Sequence, residues 1–201
     1  PEVRERHRAP TRKRLGLAPD ELVVLFLGHN FQRKGLVPLA RALPALARRL
    51  DRRFRVLVVG DGDVAPAVAI ARAAGLADRI LAAGPAADPA PYYAAADVFC
   101  LPSYYDPCAN VVVEALAMSL PVVTSTTNGC GELLTPGREG YQVDVQDSEA
   151  LAARLAEYGD DVVRERAARA ARALAQQRPL ERDYRAIVAV YEEALARKGR
   201  T

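Results

Sequence analysis

Two short stretches of this 201-residue chain hold side chains whose types and spacing suit a phosphorylated ligand. The first is Gly28-His29-Asn30-Phe31-Gln32-Arg33-Lys34-Gly35. Two adjacent cations at the end of an apolar run can neutralise a diphosphate, Arg33 through a planar fork of donors and Lys34 as a point charge. Gly28 would let the backbone come close to a ligand, and Gly35 would relieve the turn into a helix. An Arg-Lys pair that opens a surface helix also reads as a solvated face. The second stretch is Ser103-Tyr104-Tyr105-Asp106-Pro107-Cys108-Ala109-Asn110-Val111-Val112-Val113-Glu114-Ala115. Asp106 falls in a loop and Glu114 about one turn into a helix, with seven residues between them. The unpaired N–H groups and dipole of that helix start make an anion site. A carboxylate beside such a site can accept hydrogen bonds from sugar or ribose hydroxyls. Asp106 reads equally as a turn residue, Asn110 as a helix cap, and Glu114 as a favourable acid in a first turn.

Both stretches need a frame, and the rest of the pattern provides one. Leu22–Gly28 and Phe54–Gly60 are short Val/Leu-rich runs, each ending in glycine, and read as buried parallel strands. Between them Val37–Leu50 places apolar residues at helical spacing. A helix over Ala65–Ala74 stops at Gly75. A weaker strand over Arg79–Ala83 precedes a helical turn over Pro91–Ala96, and Val98–Pro102 is the fourth strand. A helix over Asn110–Met118 is followed by strands over Pro121–Ser125 and Tyr141–Val145. From Ser148 onward the alanine- and arginine-rich chain predicts three helical pieces, with Pro179 dividing the last two. This alternation implies an α/β fold, a doubly wound parallel sheet of about six strands with helices on both faces and a helical tail. Such sheets bind ligands beyond the carboxyl ends of their strands, where strand order reverses. The loops after Leu27, Val59, Leu81, Leu101 and Thr124 are therefore the candidates. One domain is expected over residues 1–201, with a basic lead-in (1–20), a core (21–147) and terminal helices (148–201).

Composition narrows the classes further. Half the residues are hydrophobic and the net charge is +3, as in ordinary globular chains. The longest apolar runs are far too short to span a bilayer, and no secretory leader is seen. The chain begins with Pro1, so it is expected to be cut from a longer polypeptide. Cys100, Cys108 and Cys130 lack C-x-x-C spacing, and His7 and His29 stand alone; reduced thiols are the simplest reading, and no metal site is expected. Arg4, Arg6, Arg8, Arg12, Lys13 and Arg14 crowd the start, and read as a solvated segment with no nucleic-acid partner.

Taken in order, these features resemble the carboxyl-terminal, nucleotide-sugar-binding domain of retaining glycosyltransferases of the GT-B fold, the group 1 or family 4 set. Phe26–Gly35, Pro102-Ser103, Asp106, Glu114-Ala115, Pro121-Val122-Val123, Asn128–Leu134, Gly137 and Gly140-Tyr141 carry the resemblance, which covers roughly residues 11–197. Tyr104–Ala115 looks closest to bacterial lipopolysaccharide-core glucosyltransferases. The resemblance implies a Rossmann-like sheet, a UDP-sugar as the expected donor and no cofactor. It implies that Arg33 and Lys34 hold the donor diphosphate and stabilise the departing nucleotide. Asp106 would touch sugar hydroxyls and Glu114 the ribose. Amides of Asn110, Val111 and Val112 would meet the distal phosphate, and Gly84, within Ala83–Pro85, would lie against the base. The acceptor, a glycan or lipid-linked molecule, would bind a separate N-terminal domain, without which this one is expected to be inactive. A cytoplasmic location is expected from the reduced thiols, with peripheral contact at the inner membrane through the basic segment as the alternative to its solvated reading. Asp106 stands where the family usually has Glu, Pro107-Cys108-Ala109 where it has glycines, and Ser119 where it has Gly.

Three rivals remain at this level. Gly60-Asp61-Gly62 with Ala65 has nicotinamide-fingerprint spacing, but follows the second strand rather than the first. A nucleotide-sugar epimerase of the same overall fold and a non-catalytic binding module are the other two.

Overall fold

Leu22–Phe26 is unbroken apolar sequence with every side chain fully buried, which a strand achieves only when both faces of its sheet are covered. In the computed structural model, which describes residues 2–178 and 180–198, this run lies in β1 (Leu22–His29), at the centre of a six-stranded sheet. The other strands are β2 (Phe54–Asp61), β3 (Ile80–Gly84), β4 (Val98–Leu101), β5 (Val122–Ser125) and β6 (Gly140–Val143). Their order is β3-β2-β1-β4-β5-β6, and every pairing is parallel. The chain winds outward from β1 to β3, then returns to place β4 on the other side of β1. Strand order thus reverses between β1 and β4, so the loops after these two strands flank the crevice.

Helices α1 (Glu2–Arg14), α2 (Phe31–Lys34), α3 (Leu36–Arg49), α4 (Ala65–Ala73), α5 (Ala90–Ala95), α6 (Asn110–Ala117), α7 (Ser148–Glu157), α8 (Asp161–Gln176) and α9 (Leu180–Lys198) complete the chain. Helix α3 buries Leu36, Leu39, Leu43 and Leu46, spaced at helical intervals, and packs on α4 and α7. Asp147 and Asp160 cap α7 and α8 through their carboxylates, which fixes where the tail breaks. Pro179, the expected divider, lies outside the described residues. The sequence-derived strands and helices from Leu22 onward match these within about two residues.

The basic start departs from its expectation as a solvated segment. Residues 2–14 form α1, and its arginines at helical spacing turn inward. Arg4 donates to the carbonyls of Ser119 (2.9 Å) and Ala96 (3.1 Å). Arg8 donates to Asp97 Oδ1 (2.5 Å) and Arg12 to Asp97 Oδ2 (3.2 Å) and the Ala95 carbonyl (3.0 Å). The Val23 N–H also donates to Asp97, at 2.8 Å. The carbonyls that precede β4 and β5 have no strand partner of their own there, and guanidinium donors satisfy them. Burial works against the Asp97 charge, yet Arg8 and Arg12 hold its carboxyl below the usual range. Arg6, Lys13 and Arg14 remain exposed.

Candidate functional site

The loop after β1 is shaped by two left-handed residues. Asn30 (φ 55°) accepts a hydrogen bond from the Arg33 N–H at 3.2 Å and starts the single turn of α2; Asn tolerates this conformation because its short amide bonds locally. Gly35 (φ 85°) ends that turn and begins α3. A Cβ on Gly35 would stand 1.8 Å from the Pro102 carbonyl oxygen, so this loop is pressed directly against the end of β4. Two more bonds tie the loops together. The Tyr104 N–H donates to the Arg33 carbonyl, and Arg33 Nη1 donates to the Tyr105 carbonyl, each at 2.9 Å.

Within this junction the structure brings Arg33, Lys34 and Asp106 together. Lys34 Nζ donates to Asp106 Oδ2, and Arg33 Nη1 lies 3.9 Å from the same oxygen. Asp106 is 5% exposed and Lys34 9%, whereas the Arg33 side chain is 44% exposed. The solvated-face reading therefore fits Arg33 and is wrong for Lys34. Removing either partner would leave the other buried without a counter-charge. The Asp106 backbone is itself clamped, donating to the Thr127 carbonyl (3.1 Å) and accepting from the Gly129 N–H (2.8 Å).

Helix α6 starts beside this carboxylate. No side chain caps it: Ala109 is the cap residue and Asn110 the first helical one, so Asn110 is not the cap it resembles in sequence. The Val112 N–H turns back to the Ala109 carbonyl at 2.8 Å, and its side chain is fully buried. Of the three amides named in sequence, those of Asn110 and Val111 therefore remain at the open end of the helix. Glu114 lies past the first turn and is exposed. Tyr93 OH donates to Glu114 Oε2 at 2.8 Å; burial, and then the charge of Glu114, push that phenol up from its ordinary range. Tyr93 is a site neighbour the sequence reading missed, since only its place on a short helix was legible. Gly84 (φ 77°) closes β3 with open space around it, on the same carboxyl edge but two strands out from β1.

The glycines around Asp61 have packing roles instead of a dinucleotide fingerprint. Gly28 and Gly60 are partners across β1 and β2, and a Cβ on Gly60 would meet the Gly28 carbonyl oxygen at 1.8 Å. Gly62 receives the Phe31 ring, which also packs edge-on against Phe26 at 5.5 Å. Among the described residues no group of three or more His, Cys, Asp or Glu could hold a metal ion.

The reversing sheet and the charged loops at its switch point define a Rossmann-like doubly wound α/β unit. The chain belongs to the family described as "Glycosyl transferases group 1", whose model matches residues 21–161. It is 31% identical over 145 residues to the lipopolysaccharide core biosynthesis glycosyltransferase LpsE of Rhizobium meliloti, covering 72% of this chain and 41% of that protein. It is 32% identical over 202 residues to a D-inositol 3-phosphate glycosyltransferase of Xylanimonas cellulosilytica, covering 95% of this chain and 47% of the other. Among solved structures, Anabaena Alr3699/HepE in complex with UDP superposes with a TM-score of 0.82 at 25% identity, over 96% of this chain and 53% of that one. The chain thus spans between about one third and one half of the length of the curated relatives it matches.

Proposed function

We propose that this chain is the donor half of a retaining glycosyltransferase, binding a nucleoside-diphosphate sugar in the crevice between β1 and β4. The observation that carries the reading is the meeting of Arg33, Lys34, Asp106 and the uncapped start of α6 at that one place. The family match and the UDP bound to HepE support it. Arg33, half exposed with one guanidinium nitrogen on the Tyr105 carbonyl, and Lys34 beside it face the diphosphate and take up the negative charge that grows on the departing nucleotide. The amides of Asn110 and Val111 meet the distal phosphate. Asp106 accepts from sugar hydroxyls, Glu114 from the ribose, and the backbone near Gly84 lies against the base. Chemistry requires an acceptor hydroxyl delivered by a further domain, so the chain by itself binds donor without transferring sugar.

A UDP-sugar is the favoured donor, and LpsE favours a lipopolysaccharide or related glycan as acceptor. The similarly matched D-inositol 3-phosphate enzyme fits an acceptor chosen outside this chain. Calorimetry with UDP, GDP and ADP tests the donor reading: UDP should bind most tightly, and absence of heat with all three would refute it. An epimerase would interconvert two UDP-hexoses without acceptor, which product analysis detects. Peripheral contact with an anionic membrane would rest on the exposed Arg6, Lys13 and Arg14, at about 1 kcal/mol each near the surface. Equal recovery with neutral and anionic vesicles at low salt would count against it.

A further inference from the structure

Two thiols face each other beside Asp106. Cys108 is exposed, and Cys130 is 4% exposed. Their sulfurs stand 3.7 Å apart. The backbone holds them there: Asp106 bridges Asn128, and the Cys130 N–H donates to Asn128 Oδ1 at 3.1 Å. Gly129 between them allows no side chain, since a Cβ would meet the Pro107 carbonyl oxygen at 2.2 Å. Burial, then the hydrogen bond and charge of Cys108, push the Cys130 thiol up to about 12, against a backbone hydrogen bond from Ala109. Cys108 Sγ lies 3.8 Å from the side-chain oxygen of Asn110, the first residue of α6, so the thiol pair touches the helix start. Cys100 is fully buried in β4.

We propose that Cys108 and Cys130 are a modification site at which a small-molecule disulfide installs an intramolecular bridge, and that the bridge weakens nucleoside-diphosphate binding at the start of α6. The second half of this statement rests on the donor-site reading above. The exposed Cys108, as thiolate, attacks one sulfur of the reagent; a mixed disulfide forms and one reagent thiol leaves. Cys130 gives its proton to solvent and attacks the Cys108 sulfur, releasing the second reagent thiol. Two cysteines lose two electrons and the reagent disulfide gains them. A disulfide bond is about 2.05 Å long, so bridging draws the sulfurs about 1.7 Å closer than their 3.7 Å contact. The Cys108–Ala109 turn moves with them, and the first amides of α6 are re-aimed. Loss of one hydrogen bond to a charged group corresponds to about tenfold in affinity.

The test incubates reduced protein with oxidised glutathione, maps the disulfides by mass spectrometry and titrates UDP into both forms. The expected result is a Cys108–Cys130 link without retained glutathione, about tenfold weaker UDP binding, recovery with dithiothreitol, and an unmoved affinity in Cys108→Ser. Absence of the link overturns the proposal. A link with unchanged UDP affinity, or equal loss in Cys108→Ser, overturns its regulatory half. If reduced protein does not bind UDP, the donor-site reading fails and the regulatory half with it, while the peptide map still decides the bridge.

Discussion

Arg33 and Lys34 are neighbours in sequence with different physical roles, and mutation should separate them. Arg33 is nearly half exposed, so Arg33→Ala should change stability by less than about 1 kcal/mol. UDP affinity should fall roughly ten- to hundredfold, the worth of a charge-assisted hydrogen bond. Lys34→Ala leaves Asp106 buried without its ammonium partner, and should cost about 3 kcal/mol of stability as well. Urea denaturation beside UDP calorimetry reads both effects; equal stability loss in the two variants would contradict the assignment. Ser119 is a second residue-scale case. It adopts φ 60°, a region that is unfavourable for residues with a Cβ. Ser119→Gly should raise stability by about 0.5–1 kcal/mol, measured as an upward shift in denaturation midpoint. No gain would mean that the left-handed backbone at Ser119 carries no net strain, since the Arg4 bond to this carbonyl is unaffected by the substitution.

At the scale of elements, the crevice depends on how closely the β1 loop approaches β4. Gly35→Ala combines φ 85° with a 1.8 Å clash against Pro102, and should cost more than about 2 kcal/mol while loosening both loops. Gly75→Ala is the control: its φ is 72° but nothing lies within 4 Å, so only the backbone cost of about 1 kcal/mol applies. Similar losses in the two variants would show that the close approach is unimportant. The tie between α1 and the sheet has a pH signature. Asp97 titrates below its usual range in the folded chain, so its contribution is complete above the unfolded value of about 3.9 and is lost as pH falls through the folded one. Asp97→Asn should lower stability by about 3 kcal/mol at neutral pH. The gap to wild type should close below about pH 4. A gap that persists under acid would assign the effect to packing instead of charge.

For the whole molecule, alternation of apolar runs and helical stretches was enough to give a doubly wound parallel sheet, because burial on both faces demands Val- and Leu-rich runs such as those of β1 and β2. Local chemistry also placed the carboxyl-edge loops, the glycine that opens α3 and the acid and cations of the crevice. The alternation did not show α1, whose inward face is made of arginines and so has no apolar period to read. Nor did it show that Lys34 is buried on Asp106, 72 residues away, that Tyr93 holds Glu114, or that Cys108 meets Cys130. A residue's own type and spacing determine the element it joins and the edge of the sheet it reaches. Which distant partner it meets there depends on strand order and on backbone approaches such as Gly35 to Pro102, and those contacts exist only once the chain has closed on itself.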